Sequence, residues 1–104
     1  MVERRSKPRI ECDYPAIVRG SSPGTVRFEE SATLCNFSAS GLYLRAKHHI
    51  EQGVKLLVVV RFSNGAPDKV TAPILAILGV VARTESRLDD TCGLGVKLLR
   101  YRFL

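Results

Sequence analysis

The stretch 54-VKLLVVVRF-62 decides the fold class. It is apolar throughout except for Lys55 and Arg61, and most of it is β-branched or aromatic. Gly53 precedes it, and Ser63-Asn64-Gly65, a hairpin signal, follows. A run this short between turn signals reads as a strand with a buried face rather than a helix. Reading back from it, His48–Gly53 is a connection and Leu42–Ala46 alternates, with Leu42 and Leu44 on one face and Tyr43 and Arg45 on the other. Phe37–Gly41 is a break of small and polar residues. Thr25–Glu30 and Ala32–Asn36 form one interrupted strand, with a bulge expected near Glu30-Ser31. Ser21-Ser22-Pro23-Gly24 is a turn, and Pro15–Gly20 a first short strand. Reading forward, Val70–Arg83 is a long strand whose Pro73 marks an edge and whose Gly79 marks a bulge or corner. Glu85–Thr91 is a polar loop, and Gly93–Leu99 a last strand. The one stretch compatible with a helical stripe is Leu98–Leu104. Six or seven strands at this spacing predict an all-β antiparallel barrel or sandwich, and closure into a barrel would hide the edges of so much Val and Ile.

Length and composition narrow the function. The chain's 104 residues suit one small domain, and 45% apolar content supplies a core. The most apolar stretch, Val70–Ala82, is interrupted by Pro73 and Gly79 and is shorter than the ~20 residues of a spanning helix. The basic N-terminus lacks the apolar run of a signal peptide, so a cytoplasmic location is the expectation. Cys12, Cys35 and Cys92 are odd in number and far apart, which suits separate thiols better than a disulfide framework or a zinc site. The net charge is +6, and residues 1–9 concentrate it: Arg4, Arg5, Lys7 and Arg9 stand against Glu3 alone. Such a cluster favours an anionic partner; a solvated tail explains it equally well.

Catalytic patterns are missing. His48 and His49 are adjacent, so in an extended connection they point opposite ways and share no ligand. Asp89-Asp90 sits in a polar loop, where a turn is the better reading than an acid/base couple. No nucleophile elbow, P-loop or dinucleotide fingerprint occurs. No enzyme, metal site or cofactor is expected. Two segments carry more. Arg5 and Arg9 form R-x-x-x-R on an arm held extended by Pro8, and guanidinium forks match both phosphate oxygens and the O6/N7 edge of guanine. Asn36-Phe37-Ser38-Ala39-Ser40-Gly41 reads N-x-S-x-x-G: an amide and a hydroxyl beside a glycine that can take positive φ and admit a ligand close to the backbone. Taken singly, the first spacing arises easily in a basic chain and the second is an ordinary turn.

Together, and in this order, the two segments resemble the PilZ family. Gly41-Leu42-Tyr43-Leu44-Arg45, Gly53-Val54 and Gly93-Leu94-Gly95-Val96 extend the likeness from Glu3 to about Leu99. The resemblance implies a six-stranded antiparallel β-barrel of split-barrel type, residues 14–104, preceded by a flexible basic arm, residues 1–13. It implies binding of cyclic di-GMP, with Arg5 and Arg9 on phosphate and guanine, Asn36 and Ser38 on a guanine edge, and Gly41 permitting close approach. Arg4 stands where the family sets whether one ligand or a stacked pair binds, and a cation there favours the pair. Many relatives carry a C-terminal helix or a fused domain, whereas this sequence closes on the apolar Leu98, Leu99, Tyr101, Phe103 and Leu104. The expectation is an adaptor whose arm orders on ligand binding and which hands the signal to a partner protein, or to a second copy in a homodimer. Two rivals stay open: a small basic barrel binding single-stranded nucleic acid, and a PilZ-like interaction module that no longer binds ligand. The scattered aromatics, one per strand or loop and without Trp, count against the first. The intact motifs count against the second.

Overall fold

The computed structural model describes residues 9–22, 26–62 and 74–104. They form six strands: β1 (Ile10–Ser22), β2 (Val26–Ser38), β3 (Gly41–Ala46), β4 (Lys55–Arg61), β5 (Ile74–Ser86) and β6 (Cys92–Phe103). All pairings are antiparallel, in the order β1-β2-β3-β6-β5-β4. β4 pairs back onto β1 through Ala16↔Val60 to Gly20↔Leu56, so the ring of hydrogen bonds closes. Closure leaves the middle of every strand with two neighbours, which is how so β-branched a chain avoids exposed edges.

Alternation supplies the core. Leu42, Leu44 and Ala46 of β3 are buried, as are Leu56, Val58 and Val60 of β4. Val18, Leu34, Val81 and Leu94 complete the fully buried centre, and among the described residues none that is buried is polar or charged. A dry interior of this kind is held by apolar burial, roughly 1.5–3 kcal/mol for each fully buried Val or Leu. Gly53, with φ of 93°, turns the chain into β4, and its N–H donates to the Val81 carbonyl at 2.8 Å. Asp90, with φ of 64°, makes the β5–β6 turn. There Asp89 accepts from the Thr91 N–H at 3.2 Å and from the Thr91 hydroxyl. These bonds hold the Asp89 carboxyl below its ordinary range. Asp89 is therefore a turn former, as its setting implied.

The structure corrects several local expectations. β1 begins at Ile10 rather than Pro15, so residues 10–13 lie in the sheet. The β2 ladder runs unbroken through Glu30↔Val18 and Ser31↔Ile17; its bulge comes at Cys35, between Leu34 and Asn36. Leu98–Phe103 continues β6 as strand, because β5 offers it a partner as far as Leu75↔Phe103. Tyr101 and Phe103 consequently share one face, rings edge-on at 6.3 Å, rather than standing apart. His48 is not idle: its Nδ1 lies 2.6 Å from the Glu30 carboxylate. The register shifts beside Gly79, but the extra residue there is Leu99 of β6, since Leu78 pairs with Arg100 and Gly79 with Leu98; the bulge in β5 itself comes at Ala82, between Val81 and Arg83. The expected hairpin at Ser63-Asn64-Gly65 and the edge at Pro73 fall outside the described residues, as does Pro23-Gly24. No helix among the described residues is long and apolar enough to cross a membrane.

Candidate functional site

The β2 bulge decides which way the site points. Leu34 faces the core opposite Leu44. Strict alternation would send Asn36 inward with it. The extra residue, Cys35, shifts the register so that Asn36 pairs with the outward Tyr43, Phe37 packs inward opposite Leu42, and Ser38 pairs with Gly41. Asn36 and Ser38 thereby reach the outer surface on the same face, at the turn into β3. The Ser38 hydroxyl accepts from the Ser40 N–H at 3.3 Å and lies 3.2 Å from the Ser40 hydroxyl. The turn is tied to β6 by the Leu98 N–H, which donates to the Ser40 carbonyl at 3.0 Å.

Arg9 meets this turn. Its Nη1 donates to Asn36 Oδ1 at 3.4 Å, across 27 residues of sequence. Arg9, Asn36, Ser38, Ser40 and Gly41 line one cleft of about 170 Å³. That is below the roughly 300–1,000 Å³ of a typical small-molecule pocket and suits a single planar base or a phosphate group. The expected pair of segments is thus brought together as far as Arg9. Arg4 and Arg5 lie outside the described residues.

Gly41 also has a part that its motif did not suggest. It has no positive φ. A Cβ there would stand 2.5 Å from the Val96 carbonyl oxygen, so the glycine is required by the close approach of β3 to β6. The motif's last residue seats the turn against the sheet and lines the cleft as well.

Two cations in the cleft were not legible as site residues. Arg83 and Lys97 line it from β5 and β6. Lys97 pairs with Gly41, and Arg83 with Gly95. Gly95 leaves room for Arg83 to lie flat across β6; a Cβ there would come within 2.8 Å of Arg83 Cγ and 2.9 Å of its Nε. Gly93 does the same for Tyr43, whose hydroxyl donates to Glu85 and accepts from Arg87 at 3.3 Å. Burial pushes the Tyr43 phenol above its ordinary value and the bond to Glu85 adds to this, against the opposing Arg87. The sequence signal for this arrangement is the pair Gly93 and Gly95, alternate residues of one strand, which marks side chains crossing its outer face. Burial is likewise the main cause that raises the Cys12 thiol, whose Sγ lies 3.4 Å from the Leu34 carbonyl. Among the described residues no group of His, Cys, Asp and Glu is arranged to hold a metal ion.

The sequence profile of the PilZ domain family matches residues 3–102, nearly the whole chain. The chain belongs to the PilZ domain family. Its membership places it among cyclic di-GMP-binding effector modules. No curated protein matches the sequence closely. Among solved structures, this PilZ domain is similar to the inhibitor of motility MotI/DgrA of Bacillus subtilis, with a TM-score of 0.69 at 16% identity. The match covers 97% of this chain and 45% of that one. It is also similar to the PilZ domain of YcgR from Escherichia coli, a structure that contains c-di-GMP. There the TM-score is 0.63 at 14% identity, over 94% of this chain and 79% of that one. At these identities the likeness is one of fold, and the chain spans under half the length of MotI/DgrA.

Proposed function

We propose that this PilZ domain binds cyclic di-GMP at the β2–β3 turn and passes the signal to a partner protein. The observation that supports the reading best is the contact of Arg9 with Asn36. It joins the end of the R-x-x-x-R arm to the start of N-x-S-x-x-G, so a guanidinium fork, an amide and the Ser38 hydroxyl converge on one surface cleft. Cyclic di-GMP offers the matching groups: guanine edges for Asn36, Ser38 and the arginines, and two phosphodiesters for cations. At 3.4 Å the Arg9–Asn36 contact is looser than a full hydrogen bond, so ligand groups displace it at little cost. Arg83 and Lys97 add positive charge on the far wall. Arg4 and Arg5 close over the ligand from the arm, residues 1–9, and the cation at Arg4 favours a stacked pair of ligands. Ordering of that arm is the event a partner reads. The module acts in the cytoplasm and catalyses nothing itself.

Isothermal titration with cyclic di-GMP tests this. A sub-micromolar to low-micromolar Kd is expected, about −8 kcal/mol or somewhat tighter. Arg9→Ala should weaken it by about 1.5–3 kcal/mol, the worth of a hydrogen bond to a charged group. No heat and no saturation with the parent protein would end the reading. Tight binding of single-stranded DNA that survives Arg9→Ala and Asn36→Ala would replace it with a nucleic-acid role.

A further inference from the structure

The middle of β4, residues 56–60, and the first part of β5, residues 74–82, are apolar on both faces. A strand with one face on the core and the other toward water normally alternates apolar with polar residues. β4 alternates in burial but not in chemistry: Leu56, Val58 and Val60 are fully buried, while Leu57 and Val59 between them point outward. The register carries this outer face across four strands. One row reads Arg19, Leu57, Leu78, Arg100, and the next Ile17, Val59, Ala76, Arg102. Val80 and Ile74 prolong the apolar band along β5, opposite Lys55 and Arg61 of β4. Leu57 is 37% exposed, and its apolar neighbours on the face are half-buried.

Cations frame this band. Arg19 is paired with Glu29. Among the described residues no carboxylate forms an ion pair with Lys55, Arg61, Lys97, Arg100 or Arg102. Strands about 4.8 Å apart and residues about 3.3 Å apart give the rows an area of roughly 300 Å², on the order of 600 Å² with the rim. A standard interface takes about 800 Å² from each partner, and transient signalling contacts take less. Contiguous exposed apolar surface rimmed by polar groups marks a site of interaction.

We propose that the outer face of β1, β4, β5 and β6 is the docking surface for a partner protein with an apolar centre and an acidic rim. Charge selects the occupant. A second copy of this chain would bring the same cations face to face, which is unfavourable. A lipid surface is engaged by amphipathic elements that project large apolar side chains into the interface, whereas these residues lie low on a sheet. A protein surface bearing Asp and Glu around an apolar centre satisfies both the band and its frame. An open hollow of about 560 Å³, lined in part by Arg19, Lys55, Leu57 and Leu78, offers a seat for one anchoring side chain. Lys97 belongs to this rim and to the cleft at the β2–β3 turn, so the two surfaces adjoin.

The test places the photo-crosslinker benzoylphenylalanine at Leu57 of the full chain in living cells, with Thr33, on the outer face of β2, as the control position. The expected result is an adduct at Leu57 and not at Thr33, joined to a second protein beside Asp and Glu residues. Affinity of the purified pair should fall roughly tenfold or more in R100E/R102E, in the milder Leu57→Thr/Leu78→Thr, and on raising salt. The proposal is overturned by no adduct above the control, by an adduct with a second copy of the chain, or by an affinity indifferent to both variants. Co-sedimentation with phosphatidylglycerol vesicles in place of an adduct also overturns it, in favour of a membrane. Circular dichroism and the denaturation midpoint report that each variant is folded. Because these readouts do not involve cyclic di-GMP, failure of the nucleotide titration and failure of the docking face are distinguishable.

Discussion

Gly41→Ala probes the joint between the sheet and the proposed ligand cleft. The added Cβ would stand 2.5 Å from the Val96 carbonyl oxygen. That atom belongs to the backbone of β6, held by pairing to both β3 and β5, and has little freedom to retreat. The turn must move instead. Overpacking of this kind costs about 1–3 kcal/mol. Lifting the turn also breaks the 3.0 Å bond from the Leu98 N–H to the Ser40 carbonyl, worth about 1 kcal/mol. The combined loss, roughly 2–4 kcal/mol, is a large share of the 5–15 kcal/mol of a typical domain. For a chain near 100 residues it lowers Tm by about 10–20 °C. Urea unfolding should show a lower midpoint at unchanged slope, and titration should show loss of cyclic di-GMP binding as Ser38 and Ser40 move with the turn. A stability change below about 0.5 kcal/mol, the level of an ordinary surface substitution, would refute the close-approach argument. Unchanged stability with lost binding would instead restore Gly41 to direct ligand contact.

Three further outcomes follow from the same geometry. Arg83→Ala and Lys97→Ala should each weaken cyclic di-GMP, by about 0.5–3 kcal/mol, and flatten its salt dependence in calorimetric titrations at two ionic strengths; full retention in the double variant would remove both from the site. Leu44→Ala, at a position with no exposed surface, should cost about 2–5 kcal/mol in urea unfolding, and a loss under 1 kcal/mol would mean the core is not packed as described. Because the Tyr43 pKa is raised on folding, its contribution to stability is fully present below the unfolded tyrosine value of about 10 and fades as pH rises through the folded value; Tyr43→Phe should abolish that alkaline component in unfolding measured as a function of pH.

The recurrence of short apolar runs, with Leu42 and Leu44 set against Tyr43 and Arg45, was enough to determine an all-β chain, because strand period and side-chain facing are local properties. Turn-formers such as Gly53 and Asp89 were legible for the same reason. The R-x-x-x-R and N-x-S-x-x-G segments were also visible as residue types in order, and Arg9, Asn36, Ser38 and Gly41 do meet in one cleft. What each of them does there depended on the tertiary structure. The Cys35 bulge turns Asn36 outward, and a bulge is fixed by the partner strands rather than by the residues it contains. Arg83 and Lys97 stand 42 or more positions beyond Gly41 in sequence, and only pairing between β3, β6 and β5 brings them to it. The apolar outer face of β4 shows the division most clearly. From 54-VKLLVVVRF-62 one learns that the strand is apolar without a break from Leu56 to Val60. Only the closed ring of strands decides that Leu57 and Val59 face outward, because a strand's two faces become inside and outside when its neighbours curve the sheet around a core.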